Sequence, residues 1–153
     1  MQTLFSNEAN LTATLAHADL VIGAVLLPGA AAPKLIRREH LRHMLPGALI
    51  VDVAVDQGGC AETTRPTSHD EPIYVVDGVL HYAVPNMPAA VARTSTHALT
   101  STTLPYGLSI AERGFEAAAI VRPELRRGLN VADGVITHPA VAAAMPPFLP
   151  RAA

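Results

Sequence analysis

The chain is poor in the residues that usually give a core its bulk. It has no tryptophan, three tyrosines and three phenylalanines, so aromatics make up 4% of its 153 residues. The hydrophobic half of the composition comes largely from Ala, Val and Leu, which predicts a core of small side chains. Charge is also scarce, at 16% against about 25% for an ordinary soluble domain. A surface so thin in charge is expected to turn part of itself toward another domain or subunit. The net charge of −2, with no Lys/Arg cluster beyond a local pair, argues against nucleic acid as the main partner. The single Cys60 cannot make an internal disulfide, which fits a reducing cytosol and a cytoplasmic protein. No apolar run approaches the ~20 residues of a membrane span. Met1 leads into the polar Ser6–Asn10 stretch rather than an apolar signal segment, so none is expected.

A further absence concerns motifs. A dinucleotide-binding unit needs a first strand and a Gly-rich turn that brings the pyrophosphate onto a helix N-terminus. No G-x-G-x-x-G occurs in this sequence. A length of 153 residues is that of one ordinary domain, yet the sheet reads as if it starts in the middle.

What is present centres on residues 48–59, Ala-Leu-Ile-Val-Asp-Val-Ala-Val-Asp-Gln-Gly-Gly. The first eight are nearly all apolar and Val-rich, the pattern of a parallel strand covered on both faces. The run stops at Asp56-Gln57, and Gly58-Gly59 lets the backbone turn through positive φ. Ligands of open α/β sheets lie beyond the carboxyl ends of the strands, so Asp56 and Gln57 stand where a site belongs. Asp is equally good at capping a turn, and spacing alone leaves both roles open for Asp56.

Before this stretch, Ser6 or Asn7 is placed to cap a helix over Asn10–Ala16. A second buried strand is predicted over Leu20–Leu27 and a short amphipathic helix over Lys34–Met44, its apolar set being Leu35, Leu41, Met44 and Leu45. Helix, strand, helix, strand at this spacing is half of a right-handed βαβ layer. Beyond it come a polar loop over Glu62–Pro72 and two strands joined by the tight Asp77-Gly78 turn. A long helical region is expected over Ala89–Arg113, interrupted at Pro105 and capped by Gly114, with short helices near Phe115–Val121 and His138–Met145. Residues 146–153 read as a disordered tail. The fold class is thus α/β, a partial Rossmann-like, doubly wound and mostly parallel sheet followed by C-terminal helices. The expected division is 1–88, the sheet part, 89–145, helical, and 146–153.

Other chemistry-bearing residues carry plain readings. Asp52, at mid-strand, is expected to be a buried, hydrogen-bonded structural acid. Lys34 either contacts a cofactor phosphate or is simply solvated. His40 and His43, at i and i+3, have the spacing to share a metal, but such a pair on an exposed helix is usually surface; no metal is expected. Cys60 is read as a small apolar filler rather than a nucleophile. Ser95 and Thr96 are read as helix-start hydrogen bonders.

Five blocks in this order carry a resemblance: Ala18–Leu26; Pro28-Gly29 with Ala32–Leu35; Val51–Cys60; Arg65-Pro66-Thr67; and Asn86-Met87-Pro88 with Arg93-Thr94-Ser95-Thr96. Together they resemble NAD-dependent L-alanine dehydrogenase from about Ser6 to Val141. The proton-translocating transhydrogenase α-subunit shares the first blocks. The resemblance implies the C-terminal part of that family only, without the first half of the cofactor domain and without the catalytic domain that carries the substrate-binding Arg and Lys and an acid/base His. It implies NAD as cofactor, L-alanine and pyruvate as substrates, and a companion N-terminal half or a homo-oligomer as partner. It implies that Ser6 lies near the adenosine end and that Val25 and Leu26 line the cofactor cleft. Val53, Ala54, Val55 and Asp56 would pass under the nicotinamide ribose, Asp56 facing the substrate as catalytic carboxylate. Val84, Asn86 and Met87 would reach the nicotinamide. Pro85 departs from the family's small residue, and its missing N–H removes any main-chain donor there. Two functions follow as expectations: an alanine dehydrogenase piece with little turnover alone, or a non-catalytic nucleotide- or partner-binding module.

Overall fold

The computed structural model describes residues 2–28 and 30–145. These fall into two compact units, one of residues 2–27 with 31–87 and one of residues 28 and 30 with 88–145. The expected tail at 146–153 lies outside the described residues.

The first unit opens with helix α1 (Glu8–Leu15), whose N-cap Asn7 accepts the Asn10 N–H at 2.8 Å. This satisfies one of the amide donors that a helix start leaves unpaired. Four short strands follow: β1 (Leu20–Gly23), β2 (Leu49–Asp52), β3 (Ile73–Val76) and β4 (Val79–Tyr82). They lie in the order β1-β2-β4-β3; β1, β2 and β4 are parallel and β3 is antiparallel to β4. The β3–β4 hairpin turns at Asp77 (φ 50°) and Gly78 (φ 82°), the two left-handed positions that a tight two-residue hairpin requires.

The register sets the two faces. Val21, Ile50, His81 and Tyr74 pair across the sheet and share one face. That side joins the core of Leu15, Ile36, Leu41, Met44, Ala48, Ile50, Ala61 and Val79. The opposite face carries Leu20, Leu49, Leu80 and Val75 in one row and Ile22, Val51, Tyr82 and Ile73 in the next. On β2 Leu49 and Val51 are half-buried there, but on β1 Leu20 and Ile22 are 54% and 63% exposed, so the expectation of a second buried strand over Leu20–Leu27 is corrected. A run of β-branched residues reports strand propensity on both faces, and it does not report what lies over them.

Three element boundaries also differ from expectation. β1 ends at Gly23 rather than Leu27, because its neighbour β2 leaves the ladder at Asp52 and offers no further partners. The backbone of Val53–Gln57 winds into a 3₁₀ turn instead of continuing as strand. The helix expected over Lys34–Met44 is a 3₁₀ segment at Arg38–His43 only. Ahead of it Ile36 pairs with Ala61 in a parallel bridge, donating to Cys60 O at 3.1 Å and accepting from Glu62 N at 2.8 Å. Leu41 and Met44 are buried, while Leu35 and Leu45 are each 44% exposed. Those long-range backbone bonds, invisible to periodicity, outcompete the helix.

The second unit is dominated by helix α2 (Ala92–Val121), entered through a 3₁₀ turn at Met87–Val91. It runs through Pro105 without stopping and breaks instead at Gly114 (φ 74°, ψ 164°). The expected interruption at Pro105 is thereby corrected, since proline removes one helical hydrogen bond without terminating this helix. The break expected at Gly114, with helix again over Phe115–Val121, is where the structure has it. Ser95 Oγ donates to Pro88 O at 3.0 Å near the helix start. Helices α3 (Glu124–Arg127) and α4 (Pro139–Ala144) follow, with a small hairpin of β5 (Val131–Ala132) and β6 (Val135–Ile136) between them. That hairpin turns on Asp133-Gly134, the same signal as Asp77-Gly78, and the sequence reading passed over it. Among the described residues no helix is long and apolar enough to cross a membrane.

Candidate functional site

Because β1, β2 and β4 are parallel, their carboxyl ends lie on one edge of the sheet. From that edge the chain continues as Ala24–Leu26, Val53–Gln57 and Ala83–Met87. The first two segments enclose a cleft of about 380 Å³ lined by Ala24, Val25, Leu26, Val53, Ala54, Asp56 and Gln57. Five of the residues singled out for the cofactor, Val25, Leu26, Val53, Ala54 and Asp56, therefore meet at one place. Val55 does not line it; its side chain is 4% exposed and sits in the interior. Ser6 is exposed beside the cap of α1. Val84 is buried, Asn86 is exposed in the left-handed region (φ 54°), and Met87 is half-buried at the start of the 3₁₀ turn. Ala24 was not singled out from the sequence, and a small apolar residue after a strand carries no signal that would have done so.

Asp52, which does not line the cleft, caps the 3₁₀ turn that carries Val53, Ala54, Asp56 and Gln57. Its carboxylate, 1% exposed, accepts from Ala54 N at 3.1 Å, Cys60 N at 2.8 Å, Ala61 N at 3.3 Å and the Thr64 hydroxyl. These donors satisfy the oxygens of a buried carboxylate, which would otherwise be costly to hold away from water. Asp52 is the structural acid that its position predicted. Gly58 (φ 91°) closes the 3₁₀ turn and Gly59 (φ 79°) follows. A Cβ on Gly59 would sit 2.4 Å from Thr64 Cγ2 and 2.9 Å from Asp52 Oδ2, so only glycine fits.

Lys34 is exposed, as the solvated reading expects, and it also has protein partners. Its ammonium donates to Gly58 O at 2.5 Å, Gly59 O at 2.9 Å and Ala61 O at 3.2 Å. Cys60 is 2% exposed, and burial, with the Asp52 carboxylate nearby, pushes its thiol up to about 12. Such a thiol holds its proton at neutral pH and is no nucleophile.

Behind the site, His81 Nδ1–H donates to Val79 O at 3.0 Å, which leaves Nε2 to accept from Thr63 Oγ1 at 2.7 Å. Burial holds the His81 pKa below its ordinary value. Tyr74 stacks on His81 with ring centroids 5.0 Å apart, and the Arg65 guanidinium lies 4.1 Å from the Tyr74 ring centroid. That stack orders the loop after Gly59, a role for Arg65 that the sequence did not signal.

His40 and His43 do not form a shared pair. His40 is buried; Arg37 N donates to its Nδ1 at 3.0 Å, so Nε2–H faces Glu8 Oε1 at 2.6 Å. Glu8, Glu39 and His40 come close enough to hold a cation, but the Arg37 guanidinium already bridges both carboxylates at 2.6 and 2.7 Å.

A mostly parallel sheet with an apolar cleft and one carboxylate at the carboxyl ends of adjacent strands is the arrangement of a Rossmann-like nucleotide-binding fold. Residues 1–139 match the family described as alanine dehydrogenase/PNT, C-terminal domain. The chain belongs to this family, whose members bind NAD. It is 56% identical to an alanine dehydrogenase of Halomonas elongata over 144 residues, which are 94% of this chain and 39% of that protein. To the Bacillus subtilis alanine dehydrogenase it is 53% identical, covering 93% of this chain and 38% of that one. Among solved structures, an L-alanine dehydrogenase matches with 51% identity and a TM-score of 0.73 over 90% of this chain and 38% of its own. The transhydrogenase of Sinorhizobium meliloti matches with 33% identity and a TM-score of 0.52 over 57% of this chain and 25% of its own. The chain thus spans about two fifths of the length of the curated relatives it matches.

Proposed function

We propose that this chain supplies the C-terminal wall of the nicotinamide pocket of an NAD-dependent alanine dehydrogenase. The reaction takes L-alanine, water and NAD to pyruvate, ammonia and NADH, a step of L-alanine catabolism in the cytoplasm. The observation that carries this reading is the meeting of Val25, Leu26, Val53, Ala54 and Asp56 on one cleft. It occurs in a chain 56% identical to an alanine dehydrogenase.

The apolar side chains give the nicotinamide ribose a surface to lie on, and Asp56 faces the reacting carbon. A carboxylate there stabilises the positive charge of the iminium that forms as hydride leaves, and orients the water that attacks it. Asn86, both donor and acceptor, suits the nicotinamide carboxamide, with Val84 and Met87 beside it. Ser6 would reach the adenosine end. Turnover needs both reactants held in one geometry, and the substrate-binding Arg, Lys and His of the family belong to its other part. The chain alone is therefore expected to give little or no NADH. An N-terminal part of a relative, supplied in trans, restores NADH formation, and Asp56→Ala abolishes the restored turnover while NAD affinity persists. Absence of turnover with every such partner, or full turnover of Asp56→Ala, would sink the proposal. A non-catalytic partner-binding module is the second reading. It is favoured by the exposed apolar row of Leu20, Ile22, Ile73 and Val75, and it predicts association with a partner chain but no turnover in the assembled pair.

A further inference from the structure

The turn after the cleft wall is gripped from two sides by groups of opposite charge. Asp52 takes its N–H groups: Ala54 at the start of the 3₁₀ turn, then Cys60 and Ala61 beyond Gly59, with the Thr64 hydroxyl added. Lys34, arriving from a segment 24 residues away, takes its carbonyls, those of Gly58, Gly59 and Ala61. Ala61 is bonded at both its N–H and its carbonyl. The same strap of chain is tied again by Ala32 N to Gln57 O at 2.9 Å and Ile36 N to Cys60 O at 3.1 Å. Between the two grips lie Asp56 and Gln57, which line the cleft and are given no grip of their own from either charge.

We propose that Lys34 and Asp52 are positioning residues for Asp56 and Gln57: by clamping the peptide groups of the following turn from opposite sides, they set where the cleft wall stands. This rests on the proposed role of the cleft and adds the residues that hold it. The physical basis is that a loop of two left-handed glycines has little stiffness of its own. Ordering it costs backbone entropy, offset here by charge-assisted hydrogen bonds to both sides of its peptide planes. Lys34 on this account serves the protein backbone and is not available to a cofactor phosphate.

Cys60 is the chain's single cysteine, lies inside the clamped turn and is buried, so it reports on the clamp directly. The test uses the full chain with an aromatic disulfide reagent and, separately, NADH. In the unsubstituted chain, Cys60 should react very slowly, through rare local opening of the clamped turn, at a rate nearly flat in low urea. Lys34→Met should react about tenfold faster or more without urea, by local opening, because hydrogen bonds to a charged group contribute about 1.5–3 kcal/mol. That reaction should be nearly flat in low urea, the mark of local opening, while global stability falls by a like amount because full unfolding loses the same bonds. Asp52→Asn, which keeps the size and loses the charge, should behave alike, and Lys34→Arg, which can reach the same carbonyls, should restore protection. NADH affinity should fall by a similar factor in Lys34→Met and return in Lys34→Arg. The inference is overturned if Cys60 in Lys34→Met reacts as in the unsubstituted chain, or faster only with the steep urea dependence of global unfolding. It is also overturned if NADH binds both forms equally. If the unsubstituted chain binds no NADH, with or without an N-terminal partner, the reading of the cleft falls. The thiol measurement still decides whether Lys34 and Asp52 clamp the turn.

Discussion

The two faces of the four-stranded sheet are made from the same kinds of residue and meet different fates. On one, Ile50 is fully buried and His81 and Val79 are 1% exposed. On the other, Leu20 and Ile73 are 54% exposed and Ile22 and Val75 63%. Strand propensity does not separate them: Val, Ile and a tyrosine stand on both, Tyr74 on the buried face and Tyr82 on the open one. What separates them is connection. The segment carrying Ile36, Leu41 and Met44 and helix α1 with Leu15 reach the first face and pack there. A face is a core only where the chain returns to it. The exposed apolar residues of the open face, Leu20, Ile22, Ile73 and Val75, are neighbours on one sheet rather than scattered.

That contrast can be broken by substitution. The largest effect is expected from Ile50→Ala on the buried face, about 2–5 kcal/mol of unfolding free energy by urea denaturation, the range for truncating a large core aliphatic. Next is Gly23→Ala, where a Cβ would stand 2.1 Å from Cys60 Sγ. Overpacking there should cost about 1–3 kcal/mol. Adding Cys60→Ala should recover most of it, since the next nearest Cys60 atom, its Cβ, would be 3.8 Å away. A double-mutant cycle reads the coupling.

The buried face should also be the acid-sensitive one. His81 has its pKa lowered by burial from the ordinary 6.5. The unfolded chain then takes up a proton before the folded one does. The stability tied to neutral His81 is fully present above pH 6.5 and is lost as pH falls from there through the folded-state value. A stability profile from pH 7.5 to 5 should show this slope, and His81→Gln should flatten it. On the open face the expected changes are smallest. Ile22→Thr and Val75→Thr should each alter stability by less than about 0.5 kcal/mol. Both should reduce self-association and binding of a hydrophobic dye. A core-sized loss from either would mean that this face is covered after all.

Much of this was legible in the residues. Asn7 as helix cap, the Asp77-Gly78 hairpin, the parallel placement of the Leu20 and Leu49 strands, and Asp52 as a buried bonded acid all follow from local chemistry. Each depends on neighbours within a few positions. The run Ala48–Val55 misled because strand propensity continues through Val53 and Val55 while the ladder does not. Strand length is decided by the partner strand, and β1 ends with it. The Lys34–Met44 segment misled for a like reason, its backbone bonds going to Cys60 and Glu62, over 20 residues away. Asp133-Gly134 was legible and overlooked, a missed hairpin rather than a hidden one.

The sequence by itself determined the alternation of strand and helix, the glycines where the chain must turn left-handed, and membership in a recognisable family. These are properties of short windows or of matched blocks. Only the tertiary structure decided which sheet face is core, that Asp56 rides on a 3₁₀ turn rather than a strand tip, and that Lys34 spends its charge on three carbonyls. Each of these depends on which distant backbone groups find one another. Hydrogen bonding across 24 residues or more leaves no period for a sequence to display.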